Sequence, residues 1–197
     1  DAPGAGPSND NNIAGYDSEG KAWWAGFTST FTMFDPFTLK LSAAYGSYES
    51  STSADLDQDG NMEIISQDIY NNKCERIVNG TTGCSGATCN RYYTAVADML
   101  PDDNDASYPG ELVPEIVRVG AGHVNVWKVY KTTDGSGKTT WSQRMKWTAK
   151  FPGAAGGGNP TVADFNGDGQ RDIAVAGRTH YTVFKGNDGS ILWASQT

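Results

Sequence analysis

A chain of 197 residues is long enough to bury a substantial core as one domain or most of one. Its 15 basic and 23 acidic side chains leave a formal charge of −8, which opposes nucleic acid or an anionic membrane surface as a partner. No apolar run approaches the length of a membrane span and no basic-then-apolar leader is present; starting at Asp1, the chain reads as a processed or excerpted product.

In chain order, residues 1–20 are rich in Gly, Pro, Asn and Asp and are expected to form a linker or N-terminal arm, ahead of a repeat-bearing segment over 21–197. Trp23 and Trp24 are neighbours, so on a strand they face opposite sides and one is free to be exposed. Phe31, Met33 and Phe34, followed by Asp35, Pro36, Leu39 and Leu41, predict an outer hairpin that has lost its first half, over 27–46.

Residues 55–63 then place Asp55, Asp57, Asp59 and Glu63 at positions 1, 3, 5 and 9 of a loop, with Gly60 at position 6 and Asn61 at position 7. Calcium takes six to eight oxygens, roughly, and alternate side chains of a tight loop can all point at one centre. Glycine at position 6 allows the sharp turn that brings the carbonyl of position 7 into the shell, and the acid at position 9 closes the cage. The helix–loop–helix calcium hand is excluded as a template, because position 12 is Ser66 here and Val175 in the second copy, and the flanks are β-branched rather than helical.

Cys74, Cys84 and Cys89 follow in a Gly/Thr/Asn-rich segment. With no histidine beside them, one local disulfide with a cysteine left over fits better than zinc, and which pair closes is open. Val96, Ala97 and Asp98 repeat the approach to the first loop, and Glu115, Ile116 and Val117 repeat its exit, but an insertion rich in Asp separates them. Two calcium sites are therefore expected, and the spacing does not support a third at Asp98 and Glu115. The second full loop spans 164–172, with Asp164, Asn166, Asp168 and Asp172 at positions 1, 3, 5 and 9, Gly169 at position 6 and Gln170 at position 7.

After each of these segments a further hairpin is predicted from Asn-Gly or Asp-Gly pairs, which supply the positive φ of tight turns. The tips are Asn79-Gly80, Asp134-Gly135 and Asn187-Asp188-Gly189. Four short strands per repeat, several repeats and no helical period predict an all-β protein built of β-propeller blades, about three and a half of them. The blades run over approximately 50–91, 92–150 and 157–197, with the half-blade at 27–46.

The strings Ala-Asp-Leu-Asp-Gln-Asp-Gly-Asn-Met-Glu-Ile-Ile (54–65) and Ala-Asp-Phe-Asn-Gly-Asp-Gly-Gln-Arg-Asp-Ile-Ala-Val-Ala (163–176) resemble FG-GAP/VCBS repeats. These are the calcium-binding blades of integrin α-chain propellers and of many secreted bacterial proteins. The resemblance implies a calcium-stabilised propeller outside the cell or on its surface.

Function is read from what is present and what is not. Six tryptophans are many for this length, and Trp127, Trp141, Trp147 and Trp193 are expected to pack between adjacent blades. His123 and His180 are expected at the starts of outer strands, and no Ser or Cys nucleophile stands in a recognisable motif with either. The expected role is therefore adhesion, surface or filament structure, or binding of a glycan or protein ligand, without chemistry of its own. The alternative is part of a secreted carbohydrate-active enzyme such as a polysaccharide lyase. Because a partial ring leaves strand edges and apolar flanks open, further blades or identical subunits, in a homo-oligomer or filament, are the expected partners.

Overall fold

A computed structural model describes the backbone of residues 13–16, 22–26, 30–34 and 41–46, and residues 51–73, 75–80, 93–102, 106–107, 109–153 and 157–196 in full. The described residues contain strands and no helix, arranged as four antiparallel four-stranded sheets, each in simple up-and-down order. Sheet I holds β1 (Ile13–Tyr16), β2 (Ala22–Gly26), β3 (Thr30–Phe34) and β4 (Leu41–Gly46). Sheet II holds β5 (Thr52–Ala54), β6 (Glu63–Ile65), β7 (Ile69–Tyr70) and β8 (Arg76–Val78). Sheet III holds β9 (Tyr93–Ala97), β10 (Glu111–Gly120), β11 (His123–Thr133) and β12 (Thr139–Lys150), and sheet IV holds β13 (Thr161–Ala163), β14 (Asp172–Ala176), β15 (His180–Lys185) and β16 (Ile191–Gln196).

Sheet III is the centre of the described core. Along β10 the side chains alternate between two buried faces, so Ile116, Val117 and Val119 are all fully buried and even Arg118 among them is covered. Ile116, Trp127 and Val129 meet Leu56, Ile65, Ile69 and Val78 of the sheet II repeat. On the other side Val117, Val119, Val124 and Val126 meet Ile173, Val175 and Phe184 of sheet IV, with Met99, Leu100 and Phe151 filling the ends. The faces of sheets II and IV turned away from sheet III are buried as well: Ile64 and Tyr70 in the former are at most 1 % exposed, as are Ala174 and Val183 in the latter.

One buried cation fastens sheet II to sheet III. Arg118 lies beneath the surface of β10 with its guanidinium 5.4 Å from the centre of the Trp127 ring. Its Nε donates to the Ser66 carbonyl at 3.0 Å, and Nη1 donates to Gln143 Oε1 at 2.9 Å.

The expected repeat is present in the register itself. Ala54 pairs with Glu63, Ala97 with Glu115 and Ala163 with Asp172, so three sheets set an acid at the same place opposite the alanine that ends their first strand. His123 and His180 begin β11 and β15, as expected. The Asp134-Gly135 and Asn187-Asp188-Gly189 tips close hairpins, with Asp134 Oδ1 accepting the Ser136 and Lys138 amides and Asp188 Oδ1 the Ser190 amide.

Two expectations are corrected. The stretch read as half a blade, 27–46, supplies the β3–β4 hairpin, but its first half is not lost: β2 precedes it and β1 falls inside the stretch read as a linker or arm, which completes a four-stranded sheet. The β7–β8 hairpin turns at 71–75, where Asn71 Oδ1 accepts the amides of Lys73 and Glu75 and substitutes a side chain for a glycine, and the chain after Asn79-Gly80, expected to return from a hairpin tip, lies outside the described residues. Gly80 lies where a Cβ would stand 1.6 Å from the Gln67 carbonyl oxygen, and its amide donates to Asp68 Oδ1 at 2.7 Å. Trp127 is buried and Trp141 and Trp147 are partly buried against the clusters, but Trp193 is 42 % exposed on β16, beside Tyr181 at 5.8 Å between ring centres. The disulfide expected among Cys74, Cys84 and Cys89 lies outside the described residues, as do the side chains of Trp23 and Trp24.

Candidate metal centre

The loop between β5 and β6 is built by its own carboxylates. Asp55 at position 1 accepts the amides of Asp59 at 3.0 Å and Gly60 at 2.9 Å, one on each oxygen. Asp57 accepts the Asp59 amide at 3.2 Å, and Asp59 accepts the Asn61 amide at 2.8 Å. Leu56 between them is fully buried and anchors the loop to the core, while Met62 is 51 % exposed. These bonds hold the odd-numbered side chains on one side of the loop and the apolar one on the other.

Glu63 closes the ring from below. It is 3 % exposed, and its Oε2 accepts the Leu56 amide at 2.9 Å. Oxygens of Asp55, Asp57 and Glu63 all lie within 4.8 Å of one another, the only such trio of acids among the described residues, and this cluster can hold a metal ion. Burial, reinforced by the charges of Asp57, Asp59 and Asp55, pushes the Glu63 carboxyl up to about 7, against the pull of the Leu56 amide. A carboxyl that costly to ionise among three other acids fits a place where a cation belongs. Lys131, reaching across from β11, donates to Asp57 Oδ2 and lies 5.1 Å from the centre of the Trp141 ring.

The second loop repeats these backbone-to-side-chain bonds, and its Asp164 Oδ1 also accepts the amides of Asn166 and Gly167. Asp164 accepts the amides of Asp168 at 3.2 Å and Gly169 at 2.8 Å, Asn166 accepts that of Asp168 at 2.9 Å, and Asp168 accepts that of Gln170 at 2.7 Å. Asp172, 1 % exposed, accepts the Phe165 amide at 3.2 Å as Glu63 does that of Leu56. The amide of Gly169 pulls the Asp164 carboxyl below its ordinary value, and the Asn61 amide does the same for Asp59. Its acids are not drawn into as tight a trio as those of the first loop. All ten residues singled out as ligands thus lie on two congruent loops. Gly60 and Gly169 take φ of +89° and +84°, as position 6 requires.

Two features escaped the sequence. Position 4 also needs positive φ: Gly167 there adopts +79° and Gln58 +57°. The glycine of the second loop was the visible signal. The middle repeat, with its lengthened loop, keeps the same closing bond, since Glu115 is fully buried and its Oε2 accepts the amides of Met99 at 2.7 Å and Leu100 at 3.1 Å. Glu115 is therefore more than a strand-edge residue, whereas Asp98 is exposed. No family model matches the chain, and no curated protein matches it. No helix among the described residues is long and apolar enough to cross a membrane.

Proposed function

We propose that this chain is an extracellular, calcium-stabilised β-propeller segment of the FG-GAP/VCBS kind, without chemistry of its own, serving adhesion, surface or filament structure, or ligand binding. The observation that carries the reading is the congruence of the loops at 55–63 and 164–172, down to the acid that closes each from the next strand. Calcium supplies the positive charge that oxygens so arranged lack, and its hardness matches an all-oxygen donor set. The series of sheets II, III and IV, each buried on both faces, supports blades that have neighbours on either side. Ile191 and Trp193, 46 % and 42 % exposed on β16, are the apolar surface offered to a glycan or protein partner.

Metal bound only by the folded form raises stability by mass action, by about 2.7 kcal/mol at a hundredfold excess over the dissociation constant. For a chain of this size that is a shift in melting temperature of about 5–10 °C. Chelation of the wild type empties both loops and should lower the melting temperature by about twice that amount, whereas Asp59→Ala or Asp168→Ala, each costing one ion, should lower it in calcium by about the single-site shift. A melting temperature indifferent to chelator rejects the reading.

A further inference from the structure

The acid of the central repeat is buried as deeply as its counterparts, yet it faces a lysine. Lys128 of β11 is fully buried, opposite the slip in the β10–β11 pairing between Leu112 and Ile116 that contains Glu115. Its Nζ donates to the Pro101 carbonyl at 2.6 Å and to Glu111 Oε1, and lies 3.6 Å from Glu115 Oε1. That last oxygen is buried and receives no hydrogen bond, so the ammonium is its ion partner without being its donor. Two carboxylates and a carbonyl converge on one point, a donor set that suits a hard cation. The corresponding lysine of sheet IV, Lys185, pairs with Asp172 in register but is exposed. Of the two, the lysine of sheet III alone is drawn inward.

We propose that the Lys128 ammonium is the resident cation of sheet III, standing where sheet II gathers Asp55, Asp57 and Glu63 around a metal, so that this repeat neutralises its buried acid without a divalent ion. The inference rests on reading the two loops as cation sites. An ammonium and a divalent ion cannot share three oxygens, because like charges a few Å apart repel strongly away from water. Asp98 is exposed, and the lysine is held by Glu111 together with the buried Glu115.

Calcium binding by the full chain, counted by isothermal titration, tests this. Lys128→Ala vacates the space beside Glu111 and Glu115 and should bind one more calcium ion per chain than the wild type. A further Glu115→Gln change should remove that extra ion. An unchanged count in Lys128→Ala overturns the proposal. Should Lys128→Ala fail to fold, Glu115→Gln alone decides: the wild-type count supports the lysine as the cation, and the loss of one ion overturns it. Failure of the loop reading looks different, as a wild type that binds no calcium at all, and the gain or absence of gain in Lys128→Ala still settles the role of the lysine.

Discussion

Gln58 holds a φ of +57° in the turn where the second loop uses Gly167. The left-handed conformation costs a residue with a Cβ about 1–2 kcal/mol, against about 0.5–1 kcal/mol of extra chain entropy lost by glycine. Gln58→Gly is therefore expected to stabilise the protein by about 0.5–1 kcal/mol in urea unfolding, whereas Gly167→Gln should destabilise it by a similar amount. Glu63 sets a pH dependence of its own. Its folded value of about 7 lies above its ordinary 4.5, so in metal-free protein its contribution to stability is fully present below the lower value and is lost as pH rises through the upper one. Metal needs the ionised carboxylate, so binding at the first loop displaces the proton. Calcium affinity there should be about tenfold weaker near pH 6 than near pH 8, with proton release detectable as a buffer-dependent heat. Glu63→Gln should abolish that difference.

Strand β11 serves two repeats at once, because side chains three positions apart point to opposite faces. Lys128 goes to the acids of its own sheet, and Lys131 goes to Asp57 in the loop of sheet II. Asp57 is 3 % exposed in its side chain, so an ammonium bound to it competes with any metal for the same oxygen. Lys131→Met is expected to tighten calcium binding at the first loop about three- to tenfold and to leave the second loop unchanged, measured as two resolved classes in titration. Weaker binding would show that the lysine supports the loop instead. None of this reach was legible beforehand: a lysine 74 residues from its partner leaves no local trace. The loops themselves were legible, since oxygen-bearing side chains at alternate positions leave a pattern in the chain. The Asn71 turn was hidden because an Asn side chain did what a glycine was expected to do. Trp193 misled because an outermost strand looks the same in sequence whether or not another sheet covers it.

At the scale of the molecule, self-association was expected because an incomplete ring leaves apolar flanks bare. In sheets II and IV those flanks, at Ile64, Tyr70, Ala174 and Val183, are covered within one chain. Light scattering of the full chain in calcium should accordingly give the mass of a monomer at micromolar concentration. Mass that grows with concentration would restore identical subunits or a filament as the partners. The acid-to-amide bond that closes each loop carries one more consequence. It ties Leu56 to Glu63 and Phe165 to Asp172 across seven positions, but Met99 to Glu115 across sixteen, while the paired strands keep the same register. The bond acts as a drawstring at the mouth of the loop, so what hangs outside it can grow or change composition at a cost that rises only slowly with length. The stretch between Pro101 and Pro109 is thus where foreign peptide can be grafted, and where lineages of this protein are free to invent new surfaces while the strands beneath stay as they are.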